Sequence, residues 1–363
     1  MTRYIYIDST YKDAFFKDCK KEQQQTLSAI GTFMSSPDTD NEKGVEKKVI
    51  LNGVTREDYK KYAKESESIE YDDKRQENWM SYISMFLSAG DTSLVEFEED
   101  NDDLISSFKT ILKGDNSLDT LKSVEDDLWQ SYILCDLTKE QCNTLEQAYG
   151  VSFIRTEDDV TKHEPDACFL RKENHYDWND LVFQKKSNSI VILDQYAFHD
   201  ANIRDTNIIV LLEKIVCRMC PTHITIFTHQ NKCLENDLEL IKNKVLSEFH
   251  DGADVHVDVQ NTKDEFHDRL ILTNNQYITI GGGFDALKPE LTPDGKHKSI
   301  KNTTLHVYSN PAISSKEWLR NEYYGYLNAI SETHNQLCQT AIHTGNPEPF
   351  QNRIMRPITE IRS

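Results

Sequence analysis

The sequence predicts an α/β protein, a helix-rich acidic N-terminal region followed by a mixed-sheet α/β domain. Three observations predict it. Between residues 187 and 260 short apolar runs alternate with helix-length stretches, the order that builds a sheet covered by helices. Beyond 260 several strand patterns follow one another directly, which adds antiparallel strands to that sheet. Residues 1–150 carry mostly charged, helix-length segments with a few short strand-like pieces.

In order along the chain, residues 2–8 read as a strand closed by an acid, and 12–33 as a helix with Phe15, Phe16, Cys19, Leu27 and Ile30 on its apolar side. Residues 35–48 read as an exposed loop and 49–54 as a short strand. The segment 56–70 has the charge of a solvated helix, whereas 78–89, with Trp79, Tyr82 and Phe86, is apolar enough to be buried. A strand is expected over 93–97, and helices over 101–113, 118–135 and 138–149, the last opened by Thr138 with Glu140 and Gln141 in its first turn. The texture of 151–186 is that of a connector. The expected divisions are therefore 1–150, 151–186, 187–312 and 313–363.

In the second half, strands are expected at 189–194, 223–228, 255–259 and 303–308, with helices at 203–220 and 234–249. Leu270 and Leu272, then Tyr277, Ile278 and Ile280, have the spacing of a hairpin turning at Asn274-Asn275-Gln276. A helix is expected over 315–341, and the basic residues 347–363 read either as a docking peptide or as a frayed end.

A chain of 363 residues can hold two domains and bury a sizeable core, and 37% hydrophobic with 10% aromatic residues excludes wholesale disorder. No run reaches the length of a membrane span, and residues 1–30 carry acids and lysines where a signal peptide needs an apolar core, so the cytosol is the expected compartment. The net charge of −20 is concentrated: residues 51–200 hold 16 lysines and arginines against 33 aspartates and glutamates. Such a surface repels a phosphate backbone and suits a protein partner. Nucleic acid is expected only through a local cleft at His267.

Eight cysteines scattered through a chain of this kind read as reduced thiols. Cys217, Cys220, His223, His229 and Cys233 are zinc-ligand types. The expected helix and strand, however, hold the two nearer cysteines on an apolar helix and the two histidines at opposite ends of a strand. No metal and no cofactor is expected.

The run FHDRLILTNNQYITIGGGFDAL, residues 266–287, concentrates the chemistry. His267, Asp268 and Arg269 open the hairpin; Gly281, Gly282, Gly283 and Asp285 close it. It resembles the HxK-x4-D signature and glycine-rich turn of the phospholipase D superfamily, through His267, Arg269, Asn274 and residues 281–285. It is most similar to the phospholipase D-like C-terminal domain that accompanies MIT domains, where HDR precedes a strand ending in a glycine-rich G-L-D. Here Asn275 and Gln276 stand for the Gly-Trp of that pattern, Gly282 for its arginine and Phe284 for its leucine. The likeness covers about a third of the chain, residues 187–310.

That resemblance implies a phospholipase D-like domain in a cytosolic, prokaryotic multi-protein system, with defence against foreign nucleic acid as its setting. It implies two contrasting functions. In one the domain is a diverged binding or adaptor module, with Asp268, Gly281, Gly282, Gly283 and Asp285 at its site and the polar strand face of His256 and Asp258 lining the cleft. In the other it is a phosphodiesterase or nuclease: His267 is the nucleophile, Arg269 the phosphate clamp and Asn274 the group orienting the imidazole. Only one copy of the motif is present, so this second function requires a homodimer to supply the other histidine.

Overall fold

The computed structural model describes residues 2–8, 10–11, 21–35, 46–53, 95–98, 103–114, 129–161, 166–178, 185–233, 238–249, 255–262, 268–345, 349 and 351–355. The helix expected at 56–70 and the buried segment expected at 78–89 lie outside the described residues. The chain divides into two compact units: Met1–Glu146, Val151–His163 and Ala312–Glu322 form the first, and Gln147–Gly150, Glu164–Pro311 and Tyr323–Ser363 the second.

The first unit is built on a five-stranded sheet, β1 (Thr2–Ile7), β2 (Glu46–Asn52), β3 (Val95–Glu98), β4 (Tyr132–Leu134) and β5 (Ser152–Phe153). Its spatial order is β3-β2-β1-β4-β5, and every neighbouring pair is parallel. Parallel strands bury both faces, and at the middle of β1, β2 and β4 Ile5, Val49 and Ile133 are completely buried. Described helices in its connections are α1 (Lys21–Ser35), α2 (Asp103–Leu112), α3 (Lys139–Tyr149) and α4 (Asp158–Thr161). Thr138 and Gln141 cap α3 reciprocally: the Thr138 N–H donates to Gln141 Oε1 at 2.9 Å and the Gln141 N–H to Thr138 Oγ1 at 3.3 Å.

Among the described residues of this unit the strands expected at 2–8, 49–54 and 93–97 are found as β1, β2 and β3. Of the helix expected over 118–135, residues 118–128 lie outside the described residues, and Tyr132–Leu134 form instead a fully buried strand, β4, beside β1. The expected connector contributes β5 to this sheet, and its later part supplies strands of the second unit.

The second unit carries β6 (Asp166–Leu170), β7 (His175–Tyr176), β8 (Ser189–Leu193), β9 (Thr222–Thr228), β10 (Val255–Asn261), β11 (Leu270–Thr273), β12 (Gln276–Ile280), β13 (Leu287–Leu291), β14 (His297–Ser299) and β15 (Thr303–Ser309). The main sheet runs β10-β9-β8-β11-β12-β15-β6, and β13-β14-β7 form a small second one. β8, β9 and β10 are parallel; β11, β12, β15 and β6 are each antiparallel to the neighbour before them. The mixed sheet is the one expected. β11 and β12 are joined by the two residues Asn274 and Asn275, and Gln276 already belongs to β12.

One face of this sheet, with Ile190, Ile192, Ile224, Ile226, Ile271 and Ile278, packs on α5 (Ala201–Arg204), a π-helical turn (Asp205–Ile209), α6 (Val210–Ile215) and α7 (Leu238–Phe249). The helix expected over 203–220 is thus a continuous run from Ala201 to Ile215 that contains a π-helical segment and ends five residues early. The π turn leaves the Thr206 carbonyl free to accept from Trp178 Nε1 at 3.2 Å, while Asn207 exchanges two hydrogen bonds with the Leu287 backbone. After Ile215 the chain leaves the helix, so Cys217 and Cys220 sit in an irregular segment.

The opposite face presents Leu270, Leu272 and Tyr277 at the alternate positions. Here the second part of α8 (Glu317–Thr344) covers it. Tyr323 Oη donates to the Thr273 carbonyl at 2.9 Å, and the Tyr323 ring stands edge-on to Tyr277 at 6.4 Å. The tail docks at residues 351–355: Asn352 Nδ2 donates to the Ile190 carbonyl at 2.9 Å, and Arg353 Nη1 donates to the Asn188 carbonyl and to Ser189 Oγ, both at 3.2 Å.

Candidate functional site

At the carboxyl end of β8 the apolar run stops at Asp194, whose carboxylate is almost completely buried. One oxygen accepts from the Tyr196 N–H at 2.8 Å and the other from the Phe284 N–H at 2.9 Å. Burial pushes this carboxyl above the usual range, the neighbouring Asp285 adds to the rise, and the two amides and Arg269 oppose it. Asp194 thereby ties the end of β8 to the turn that follows β12.

Because β11 runs antiparallel to β8 and pairs Leu270 with Leu193, Arg269 arrives beside Asp194. Its guanidinium carbon lies 5.5 Å from the centroid of the Tyr196 ring, and Lys232 Nζ lies 4.8 Å from the same centroid. Lys232 also donates to Gln195 Oε1 at 2.6 Å. His199 backs the tyrosine from its own loop, with Nδ1 2.7 Å from the Tyr196 carbonyl oxygen.

The glycine run supplies the floor. Gly283 has φ +94°, and a Cβ there would stand 2.7 Å from Asp285 Oδ1 and 3.0 Å from Arg269 Cδ, so only glycine fits. Lys301 donates to the Gly282 carbonyl at 2.6 Å and pairs with Asp285, while the Gly282 N–H donates to Thr303 Oγ1 at 2.8 Å. Gly281 is the exposed rim of the turn.

Three cations (Lys232, Arg269 and Lys301) therefore gather with Asp194 and Asp285 around one aromatic ring and one glycine turn. Of the residues the sequence singled out, Arg269, Gly282, Gly283 and Asp285 meet here. Asp268 is exposed at the margin and accepts from Tyr326 Oη at 2.8 Å. His267 lies outside the described residues.

Two expectations are corrected by geometry. Asn274 stands at the far end of β11 from Arg269, where Oδ1 accepts from the Asn188 and Ser189 N–H groups at 3.2 and 3.3 Å and Nδ2 donates to the Gly150 carbonyl at 2.9 Å. A side chain so engaged, a whole strand away, orients nothing near Arg269. His256 pairs in register with His223, near the start of β9, and the two rings meet edge to face at 5.6 Å. Since β9 is parallel to β8, this is the amino end of the parallel strands, opposite Asp194. Asp258 is buried mid-strand against Gln260 Nε2. Neither lines the cleft.

The zinc-ligand types are likewise divided. Cys217 and Cys220 donate to the Ala148 and Tyr149 carbonyls, with their sulfurs 3.2 Å apart, while His229 and Cys233 follow the carboxyl end of β9. Among the described residues no group of three metal-ligating side chains forms.

Sequence reasoning missed Tyr196, Lys232 and Lys301. They come from three loops separated by tens of residues, and no spacing links them. Asp194 carried the one available signal, an acid closing a continuous apolar strand. Comparison of the chain with protein-family models and with curated proteins finds no match.

Proposed function

We propose that the second unit is a diverged phospholipase D-like module that holds a phosphodiester, such as a stretch of nucleic-acid strand, and serves as an adaptor to a protein partner. The observation that carries this reading is the convergence of Arg269 and Lys232 on the ring of Tyr196, beside the close-packed Gly283. A planar guanidinium held over an aromatic ring keeps its fork directed and grips phosphate oxygens in two places, while an ammonium nearby adds point charge. The local group of cations overcomes, at one place, the repulsion that the acidic chain exerts on phosphate. The strongly negative span 51–200 supports a protein partner rather than a second length of nucleic acid.

The test is fluorescence anisotropy with labelled single-stranded DNA and RNA oligonucleotides at fixed, low salt, beside a hydrolysis assay on the same strands. Binding weakened at least about tenfold in Arg269→Ala, with no turnover, is the expected result. Equal binding by wild type and Arg269→Ala overturns it. Turnover abolished in His267→Ala would replace the adaptor by a phosphodiesterase.

A further inference from the structure

The segment between α6 and β9 sets two thiols against each other. After α6 the chain bends beside the entry to β8: Val216 bridges to Ser187, and the Cys217 N–H donates to the Ser187 carbonyl at 2.9 Å. Thr222 Oγ1 then stands 2.8 Å from the Cys217 carbonyl oxygen and 3.2 Å from that of Cys220, so one hydroxyl ties the two ends of Cys217-Arg218-Met219-Cys220. The resulting turn exposes Arg218 and Met219 and faces both cysteines inward, their sulfurs 3.2 Å apart. That gap is about 1 Å longer than a disulfide bond, so the two can join through side-chain rotation within the turn.

The two sulfurs differ in character. Burial raises the Cys217 thiol, but the Cys220 thiol, the N–H groups of Met219 and Cys220 and the Lys186 ammonium together bring it below its usual value. Burial pushes the Cys220 thiol well above its own, and the neighbouring Cys217 adds to the rise. Cys217 is therefore the sulfur that reacts first and Cys220 the one that resolves. Both also serve α3, which ends at Tyr149. Cys217 donates to the Ala148 carbonyl at 2.7 Å, and Cys220 lies 3.3 Å from the Tyr149 carbonyl oxygen, so the thiols cap carbonyls that the helix itself leaves without a donor.

We propose that Cys217 and Cys220 are a modification site, independent of the Arg269 site, at which hydrogen peroxide closes the dithiol to a disulfide. The thiolate of Cys217 attacks one peroxide oxygen and the O–O bond breaks. The departing hydroxide takes up the thiol's proton as water, and Cys217 is left as a sulfenic acid. The Cys220 sulfur then attacks the Cys217 sulfur; the S–O bond breaks, and its hydroxyl leaves with the Cys220 proton as a second water. Two thiols thus lose two electrons and one peroxide is reduced to two waters. Burial selects the oxidant: with Cys217 0% and Cys220 2% exposed, peroxide is small enough to reach them where a bulky disulfide is not. The product has no S–H to donate, so the Ala148 and Tyr149 carbonyls lose their thiol donors and the end of α3 loosens.

The test treats the reduced full chain with hydrogen peroxide, alkylates it under denaturing conditions and digests it with trypsin. Cleavage after Lys214, Arg218 and Lys232 places Cys217 in peptide 215–218 and Cys220 in peptide 219–232, so only a disulfide keeps the two together. The expected result is that linked pair, with loss of alkylation at both cysteines and full recovery after dithiothreitol. In Cys220→Ser, which keeps a donor for the Tyr149 carbonyl, no link forms and peptide 215–218 gains oxygen. Amide hydrogen exchange over the last turn of α3 should rise on oxidation of the wild type. Glutathione disulfide, a far larger oxidant, should link the pair at least about tenfold more slowly. Thiols still alkylated after peroxide, a link only between the peptides of Cys135 and Cys142, unchanged exchange in α3, or equal rates with glutathione disulfide would each overturn the proposal.

Discussion

The imidazole of His223 is bracketed by Arg353: the backbone N–H of Arg353 donates to Nδ1 at 3.3 Å, and its guanidinium Nη2 stands 3.5 Å from Nε2. Burial, that guanidinium and the adjacent His256 together lower the pKa of His223 from 6.5 to about 3. The folded ring stays neutral where the unfolded one takes a proton. Above the unfolded value both states are neutral and no pH dependence arises. As pH falls through the window between 6.5 and 3, the unfolded chain alone binds the proton, so stability is lost. Denaturant titrations of wild type against His223→Asn should show this as a difference on the order of 2–3 kcal/mol between pH 7 and pH 4.5. A flat difference would contradict the buried neutral ring.

Asn274 bonds two consecutive amides and one carbonyl, so Asn274→Ala should lower unfolding free energy by about 2–4 kcal/mol through orphaned buried groups. Asn274→Asp, which installs the acid of the phospholipase D pattern, should be no better. A carboxylate keeps the acceptor but sets a negative charge against the Gly150 carbonyl oxygen in place of a donor, and that carbonyl keeps only its bonds from Asn275 and Asn188. Urea denaturation of both variants checks this; a stabilised Asp variant would contradict it.

Gly283→Ala should cost about 1–3 kcal/mol, because its Cβ meets Asp285 and Arg269 while φ stays positive. The same variant should displace the guanidinium from Tyr196 and weaken oligonucleotide binding. Gly295 has φ +83° with no atom within 4 Å of a Cβ, so Gly295→Ala is the control: strain alone, with binding unchanged.

Asn352→Ala should remove the two amide hydrogens shared among the Ile190 and His223 carbonyls and Thr225 Oγ1, and destabilise the second unit by about 1–3 kcal/mol. Thermal unfolding followed by circular dichroism would register it. An unchanged midpoint would mean that the tail merely rests on the sheet.

The second sheet was legible because β8, β9, β11 and β12 are apolar runs of four to seven residues bounded by turn residues. Of the first sheet, the strands expected at 2–8, 49–54 and 93–97 are found as β1, β2 and β3, whereas β4 and β5 were not legible. β4 is three residues long and β5 two, and Tyr132, Ile133 and Leu134 continue an apolar pattern that begins at Trp129. A buried strand that short cannot be told from the end of a buried helix by periodicity. At the site, Arg269 and Gly283 were visible as neighbours of a motif, but Tyr196, Lys232 and Lys301 gain meaning only from the pairing of β8 with β11 and of β12 with β15.

The bonds of Asn352 and Arg353 reach partners between 127 and 165 residues earlier in the sequence. A nascent polypeptide that has emerged only as far as β15 therefore holds a sheet whose amino-end carbonyls at Ile190 and His223 still lack these donors. Final consolidation waits for a late arrival, so folding of this unit is governed by long-range closure.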